Sequence, residues 1–116
     1  MMHPSKNKIF FFSTILTIIL AGLIPGQNIA DEYKSGMDSY NKQLYVEAQK
    51  TFQKIIDEYG IEDELYASAC FYSASSFLKM GKKDEAATGF EFIVNNVTWS
   101  KFREESLFTL GLIYQR

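Results

Sequence analysis

The sequence predicts an all-α chain, a solenoid of helical hairpins about two and a half repeats long. Three observations predict it. A pattern of small and apolar residues recurs after 37 or 38 positions. Within each copy the apolar residues fall three and four apart, the spacing of one helix face. Pro4 and Pro25 are the only prolines, so nothing from residue 31 onward interrupts a helix.

The repeat is read directly. Gly36 is followed 12 residues later by Ala48, then by Phe52 and Ile55. Ala74 is followed 12 residues later by Ala86, then by Phe90 and Ile93. Tyr33 precedes Gly36 by three and Phe71 precedes Ala74 by three; Phe108 and Gly111 open a third copy with the same spacing.

Taken in order, residues 1–30 come first. His3, Lys6 and Lys8 form a basic start, and residues 9–24 are apolar except for Ser13, Thr14, Thr17 and one glycine. Pro25-Gly26 breaks the run, and Asn28-Ile29-Ala30 offers a small residue for cleavage. This is the layout of a secretory signal peptide. The run, 16 residues long, falls short of the ~20 that span a bilayer. The alternative is a leader that stays in place as an anchor.

Residues 31–116 then read as one domain with helices at about 31–42, 45–59, 63–80, 84–95 and 100–115. Tyr45, Ala48, Phe52, Ile55, Ile56 and Tyr59 make the stripe of one helix; Ala86, Ala87, Phe90, Ile93, Val94 and Val97 make another. Ala67, Ala69, Cys70, Ser73 and Ala74 are small enough to let neighbouring backbones approach. Gly81 sits where a helix C-terminus belongs. Asp63 and Ser100 stand where a side-chain oxygen can cap an N-terminus.

These residues carry a resemblance. The small residue of the first helix (Gly36, Ala74, Gly111), the alanine of the second (Ala48, Ala86), the aromatic after it (Phe52, Phe90) and the aliphatic three later (Ile55, Ile93) resemble the tetratricopeptide repeat family. The long period and the Tyr59-Gly60 and Ser100-Lys101-Phe102 junctions are similar to bacterial envelope members of the Tol–Pal and outer-membrane assembly kind. The chain departs from the family in lacking a proline after the second helix and in placing its aromatic three, not four, before the small residue. The resemblance implies a right-handed superhelix with a concave groove lined by first helices. By position the groove would present Tyr33, Met37 and Tyr40 from the first copy, Phe71, Ser75, Leu78 and Lys79 from the second, and Phe108 and Leu112 from the third. Tyr33, Phe71 and Phe108 then either form a ladder gripping a peptide or pack between the helices of each repeat. The sequence leaves both open.

The chemistry is sparse. The one histidine, His3, lies in the leader, so residues 31–116 can build neither a Ser-His-Asp triad nor a histidine zinc site. Cys70 stands alone among small and aromatic residues, as a buried inert thiol does. Asp57, Glu58, Glu62, Asp63 and Glu64 crowd one junction but lack the alternating ligands and central glycine of a calcium loop, and read as a solvated turn. Asn96-Val97-Thr98 matches the glycosylation acceptor pattern, which matters only if the organism glycosylates its secreted proteins and in a bacterium is expected to be chance. Ten basic against fourteen acidic residues after the leader give a net charge of −4, which argues against a nucleic-acid surface. No metal, cofactor or catalytic residue is expected.

The last stretch holds Leu107, Phe108, Leu110, Leu112, Ile113 and Tyr114, a first helix without its second. Three explanations stand: a homodimer through residues 100–116, a helix received from another protein or peptide, or a fragment of a longer repeat protein. The expected function is a non-catalytic protein-interaction scaffold exported to the bacterial envelope, periplasmic or secreted. The alternatives are a membrane-anchored spacer, touching a membrane only if residues 9–24 are retained, and a small-ligand carrier needing a closed pocket of several hundred Å3 between the aromatic faces.

Overall fold

The computed structural model describes residues 29–61 and 63–115. The predicted leader, apart from Ile29 and Ala30, lies outside the described residues. Five helices follow one another: α1 (Ile29–Asn41), α2 (Tyr45–Glu58), α3 (Glu64–Lys79), α4 (Lys83–Asn96) and α5 (Phe102–Tyr114). Among the described residues there is no strand. The described residues are all-α, as the periodicity predicts.

The hairpins repeat in atomic detail. At the end of α1 the Leu44 N–H donates to Ser39 O (2.9 Å) and the Gln43 N–H to Tyr40 O (3.0 Å). At the end of α3 the Lys82 N–H donates to Phe77 O (2.9 Å) and the Gly81 N–H to Leu78 O (3.0 Å). Both are the paired C-terminal bonds that satisfy the last carbonyls of a helix around one left-handed residue. That residue is Gly81 with φ 79° in the second hairpin and Gln43 with φ 64° in the first. They are 38 positions apart. The starts of α1's and α3's hairpin partners agree too: Leu44 and Lys82, which precede α2 and α4, have φ/ψ of −89°/72° and −92°/75°. The first helices begin alike. Asp63 Oδ1 accepts from the Leu65 N–H (2.8 Å), and Ser100 Oγ accepts from the Phe102 N–H (3.0 Å). Each hydroxyl or carboxylate satisfies a donor that the helix itself cannot.

The residues of the repeat pattern form the core. Ala48, Phe52 and Ile55 in one copy and Ala86, Phe90 and Ile93 in the other are almost wholly buried. They belong to two clusters. The smaller joins Ala48, Phe52, Ile55 and Ala69 with half-buried Ile29, Tyr33, Met37 and Tyr40; the larger joins α3, α4 and α5. Two side chains pack against both, Ile56 and Tyr72. α3 lies in the middle and is buried nearly all round, so it has no single apolar stripe. Its small residues replace that stripe. Ala67, Ser68, Ala69, Cys70, Ser73, Ala74 and Ser76 are all buried.

First helices touch: α1 meets α3 and α3 meets α5, whereas α2 and α4 have no contact with each other. Each hairpin also closes on a glycine. A Cβ on Gly36 would lie 2.7 Å from the Phe52 ring, and one on Gly89 would lie 2.8 Å from the Ala74 Cβ. The Glu32–Lys54 ion pair (3.1 Å) also links α1 to α2, but Lys54 is exposed and the pair contributes little.

Two outcomes follow from this packing. Gly36→Ala forces a methyl group against a fully buried ring and should lower stability by about 1–3 kcal/mol in urea denaturation. Gly111→Ala, where a Cβ meets nothing within 4 Å, should instead raise it by up to about 1 kcal/mol from helix propensity alone. Tyr72→Ala should cost about 2–4 kcal/mol, because it opens the seam between both clusters. Tyr72→Phe keeps the ring and should recover most of that loss.

Candidate functional site

The expected groove residues lie on α1, α3 and α5, and the structure treats them unequally. Tyr33, Met37 and Tyr40 are half-buried against the smaller cluster. The Tyr33 ring sits 5.9 Å from Phe52, and Tyr40 contacts the rings of Tyr45 (5.4 Å) and Tyr72 (5.2 Å). Burial pushes both phenols above their ordinary range, while hydrogen bonds to Ser68 (for Tyr33) and Ser75 (for Tyr40) act in the opposite sense. Ser75 of the expected set is thus brought to Tyr40. The charge of Glu105 on α5 adds a further, smaller upward push on the Tyr40 phenol. Leu78 is half-buried against the larger cluster, and Lys79 is exposed.

The aromatic ladder is not what the rings form. Phe71 is only 7% exposed; it stacks on Phe102 (4.7 Å) and meets Phe90 edge-on (5.6 Å). Its surface goes to packing between α3, α4 and α5, the alternative the sequence had left open. Phe108, at 68%, stands in solvent. The contiguous ring system runs instead through Tyr72, which touches Tyr40, Phe52, Phe71 and Phe102. Tyr72 and Phe102 were absent from the expected set. The adjacent pair Phe71-Tyr72 was the available signal. Neighbours in a helix point about 100° apart, so on a central helix one serves each flanking hairpin.

α5 divides cleanly. Phe102, Ser106 and Leu110 are buried, and Ile113 packs on the larger cluster. Leu107, Phe108 and Leu112 look outward, Leu112 at 55% exposed, around Gly111 with no atom near it. Helical spacing puts Phe108 and Leu112 on one face, with Leu107 about 100° round from Phe108. The Tyr114 hydroxyl donates to the Glu91 carboxylate, which fastens the last turn of α5 to α4; that bond raises the phenol's pKa.

A second concavity lies on the other side of α3, in the gap between α2 and α4. It is an open trough of about 450 Å3, with Ile56 on one wall, Tyr66, Cys70, Ala74 and Phe77 along the floor, and Phe92 on the far wall. Cys70 is 5% exposed; burial pushes its thiol up to about 11, partly offset by a hydrogen bond with Tyr66. Burial likewise takes Tyr66 to about 12, with Cys70 adding to the rise. A thiol so placed is protonated at neutral pH and is a poor nucleophile.

The chain matches no family model, no curated protein and no solved structure.

Its site must therefore be read from its own geometry, which offers two surfaces: the α5 face with the first-helix side behind it, and the trough. Among the described residues no three His, Cys, Asp or Glu side chains cluster as metal ligands would. Nor is any described helix long and apolar enough to cross a membrane.

The Tyr66–Cys70 pair fixes a pH response. Both groups titrate higher when folded than their ordinary values of 10.0 and 9.0. Below pH 9 both states keep the protons, and the pair exerts no pH dependence. Above it the unfolded chain releases them first, so stability falls as pH rises toward about 11–12. Melting temperature followed from pH 8 to 12 should decline over that window, and Cys70→Ala should remove the earlier part of the decline.

Proposed function

We propose that the chain is a tetratricopeptide-like repeat scaffold, without catalysis, that binds another polypeptide through the outward face of α5 and the neighbouring first-helix side. One observation carries the reading: Phe108 and Leu112 expose an apolar strip, flanked by Leu107, on a helix whose opposite face is already packed. Such strips mark interaction sites more often than they mark idle surface. The geometric equivalence of positions 38 apart, and the contact of first helices with each other, support the repeat architecture. Tyr40, Ser75, Leu78 and Lys79 extend the surface toward α1 and α3, with Tyr33 and Met37 contributing their half-exposed edges. The partner is a helix of another protein or peptide, or α5 of a second copy through residues 100–116. The leader pattern in residues 1–30 supports export to the bacterial envelope.

A second reading concerns the leader alone. Ile29 is half-buried against the smaller core cluster, and α1 begins there. Cleavage after Ala30 would remove that contact. A retained leader would make the chain an anchored spacer, and N-terminal sequencing of the exported protein separates the two: a start at Asp31 rules out the anchor.

Phe108→Asp should abolish partner capture, or turn a sedimenting dimer into a monomer. As a surface change it should shift folding stability by no more than about 0.5 kcal/mol. A photocrosslinker at position 108 should capture the partner, and one at Lys34 should not. Capture or dimerisation unaffected by Phe108→Asp would overturn the proposal.

A further inference from the structure

α5 repeats the docking face of α1 and α3. Tyr33 and Gly36 on α1, Phe71 and Ala74 on α3, and Phe108 and Gly111 on α5 are the same two positions, an aromatic ring and a small residue three later. In the first hairpin both meet α2. The Tyr33 ring lies 5.9 Å from Phe52, and a Cβ on Gly36 would lie 2.7 Å from that same ring. In the second hairpin both meet α4. The Phe71 ring lies 5.6 Å from Phe90, and a Cβ on Gly89 would stand 2.8 Å from the Ala74 Cβ. On α5 neither position is met: Phe108 is 68% exposed, and a Cβ on Gly111 finds nothing within 4 Å.

The fold therefore shows twice what covers such a face. It is the second helix of a hairpin, running antiparallel to the first. Both second helices carry a small residue, an aromatic four later and an aliphatic three after that: Ala48, Phe52 and Ile55 on α2, Ala86, Phe90 and Ile93 on α4. All six are buried. A second copy of the chain supplies this poorly. Its own Phe52 and Phe90 are enclosed in their hairpins, so α2 or α4 could serve only by leaving them. Its α5 has an exposed aromatic but not the pattern, with Glu104 four before Phe108 and Gly111 three after it.

Charge narrows the occupant further. Two helical turns before the small residue stand Ile29, Ala67 and Glu104 in the three copies. In an antiparallel pair their opposite numbers lie two turns after the aromatic, at Tyr59 and Val97. Ile29 and Tyr59 pack on the smaller cluster, and Ala67 and Val97 are buried in the larger. In the third copy a carboxylate replaces the apolar side chain, and it is exposed. A helix laid over Glu104 must bring it a cation, because a carboxylate covered without a partner is strongly destabilising.

Resting on the reading that α5 binds another polypeptide, we propose that the occupant is an amphipathic helix of the α2 kind, docked antiparallel on α5. Its aromatic ring seats on Gly111 against Phe108, and a Lys or Arg seven residues after that ring pairs with Glu104.

The probe is a fluorescent, C-terminally amidated peptide of this chain's own residues 44–59 in a Tyr59→Lys form, titrated by anisotropy against the full chain. It should bind, and more tightly than the unchanged peptide. Phe52→Ala in the peptide should weaken binding about tenfold, because the ring is what the seat holds. In the protein, Phe108→Asp should abolish binding. Gly111→Ala should weaken it about tenfold while leaving the free chain no less stable, a split that a purely structural glycine would not give. Glu104→Lys should reverse the preference, toward a Tyr59→Glu peptide. The two readings fail separately. Partner capture from position 108 that survives Gly111→Ala would keep α5 as a binding face and overturn the occupant named here. Peptide binding that persists in Phe108→Asp would place the peptide elsewhere and overturn it too. So would no binding up to about 1 mM peptide. A sedimenting dimer broken by Phe108→Asp but not by Gly111→Ala would give the face to a second copy instead.

Discussion

The fold depends on the seam where its two apolar clusters meet, and Tyr72 occupies that seam. One ring on α3 contacts Tyr40 of α1, Phe52 of α2, Phe71 beside it and Phe102 of α5. Through Phe71 the network reaches Phe90 of α4. Every helix therefore contributes a ring to one connected system. Aromatic pairs in tilted and edge-on geometries add directional preference to plain area burial. The contact between the two clusters runs through this ring and through Ile56, the two side chains that pack against both.

Tyr72 can hold that position only because α3 presents small residues around it. Seven of its buried side chains are alanine, serine or cysteine, so α1, α2, α4 and α5 all approach its backbone. Buried serines remain satisfied where their helix allows: the Ser76 hydroxyl donates to Tyr72 O (2.7 Å), one turn back. Each hairpin then adds one glycine at its tightest point, but on opposite helices. In the first it is Gly36 of α1, facing Phe52; in the second it is Gly89 of α4, facing Ala74. The repeat conserves the distance of approach and not the residue that permits it. The same holds at the turns, where a left-handed Gln43 and a left-handed Gly81 perform one task. Glutamine there bears a strain that glycine does not.

Much of this was legible from residue order, and the reasons are local. A 3.6-residue period and a 38-residue repeat constrain helices, and Ala48, Phe52, Ile55 and their copies Ala86, Phe90 and Ile93 occupy the core as that period requires. Asp63 and Ser100 cap because capping involves only the next few residues. The destinations of side chains on α3 were not legible. A helix buried all round has no polar face from which to infer direction, so position alone could not decide whether Phe71 opens on a groove or packs inward. Phe102 stacking on Phe71 is a contact across 31 residues, and nothing near either residue encodes it. The trough was invisible for the same reason: it is the gap between α2 and α4, a property of two helices that do not touch.

That gap and the contact of first helices are two sides of one arrangement. Second helices that met would fill the space over Cys70 and Ala74; first helices that parted would expose Tyr40 and Ser75. Tilting hairpins so that α1, α3 and α5 close on each other necessarily opens α2 from α4. The closed side holds the contacts of Tyr40 with Ser75 and Tyr33 with Ser68, while the open side has a mostly apolar floor and the Gln49–Ser73 hydrogen bond between α2 and α3. Both surfaces are built on α3, which gives Ser75 and Ser68 to one side and Cys70 and Ala74 to the other.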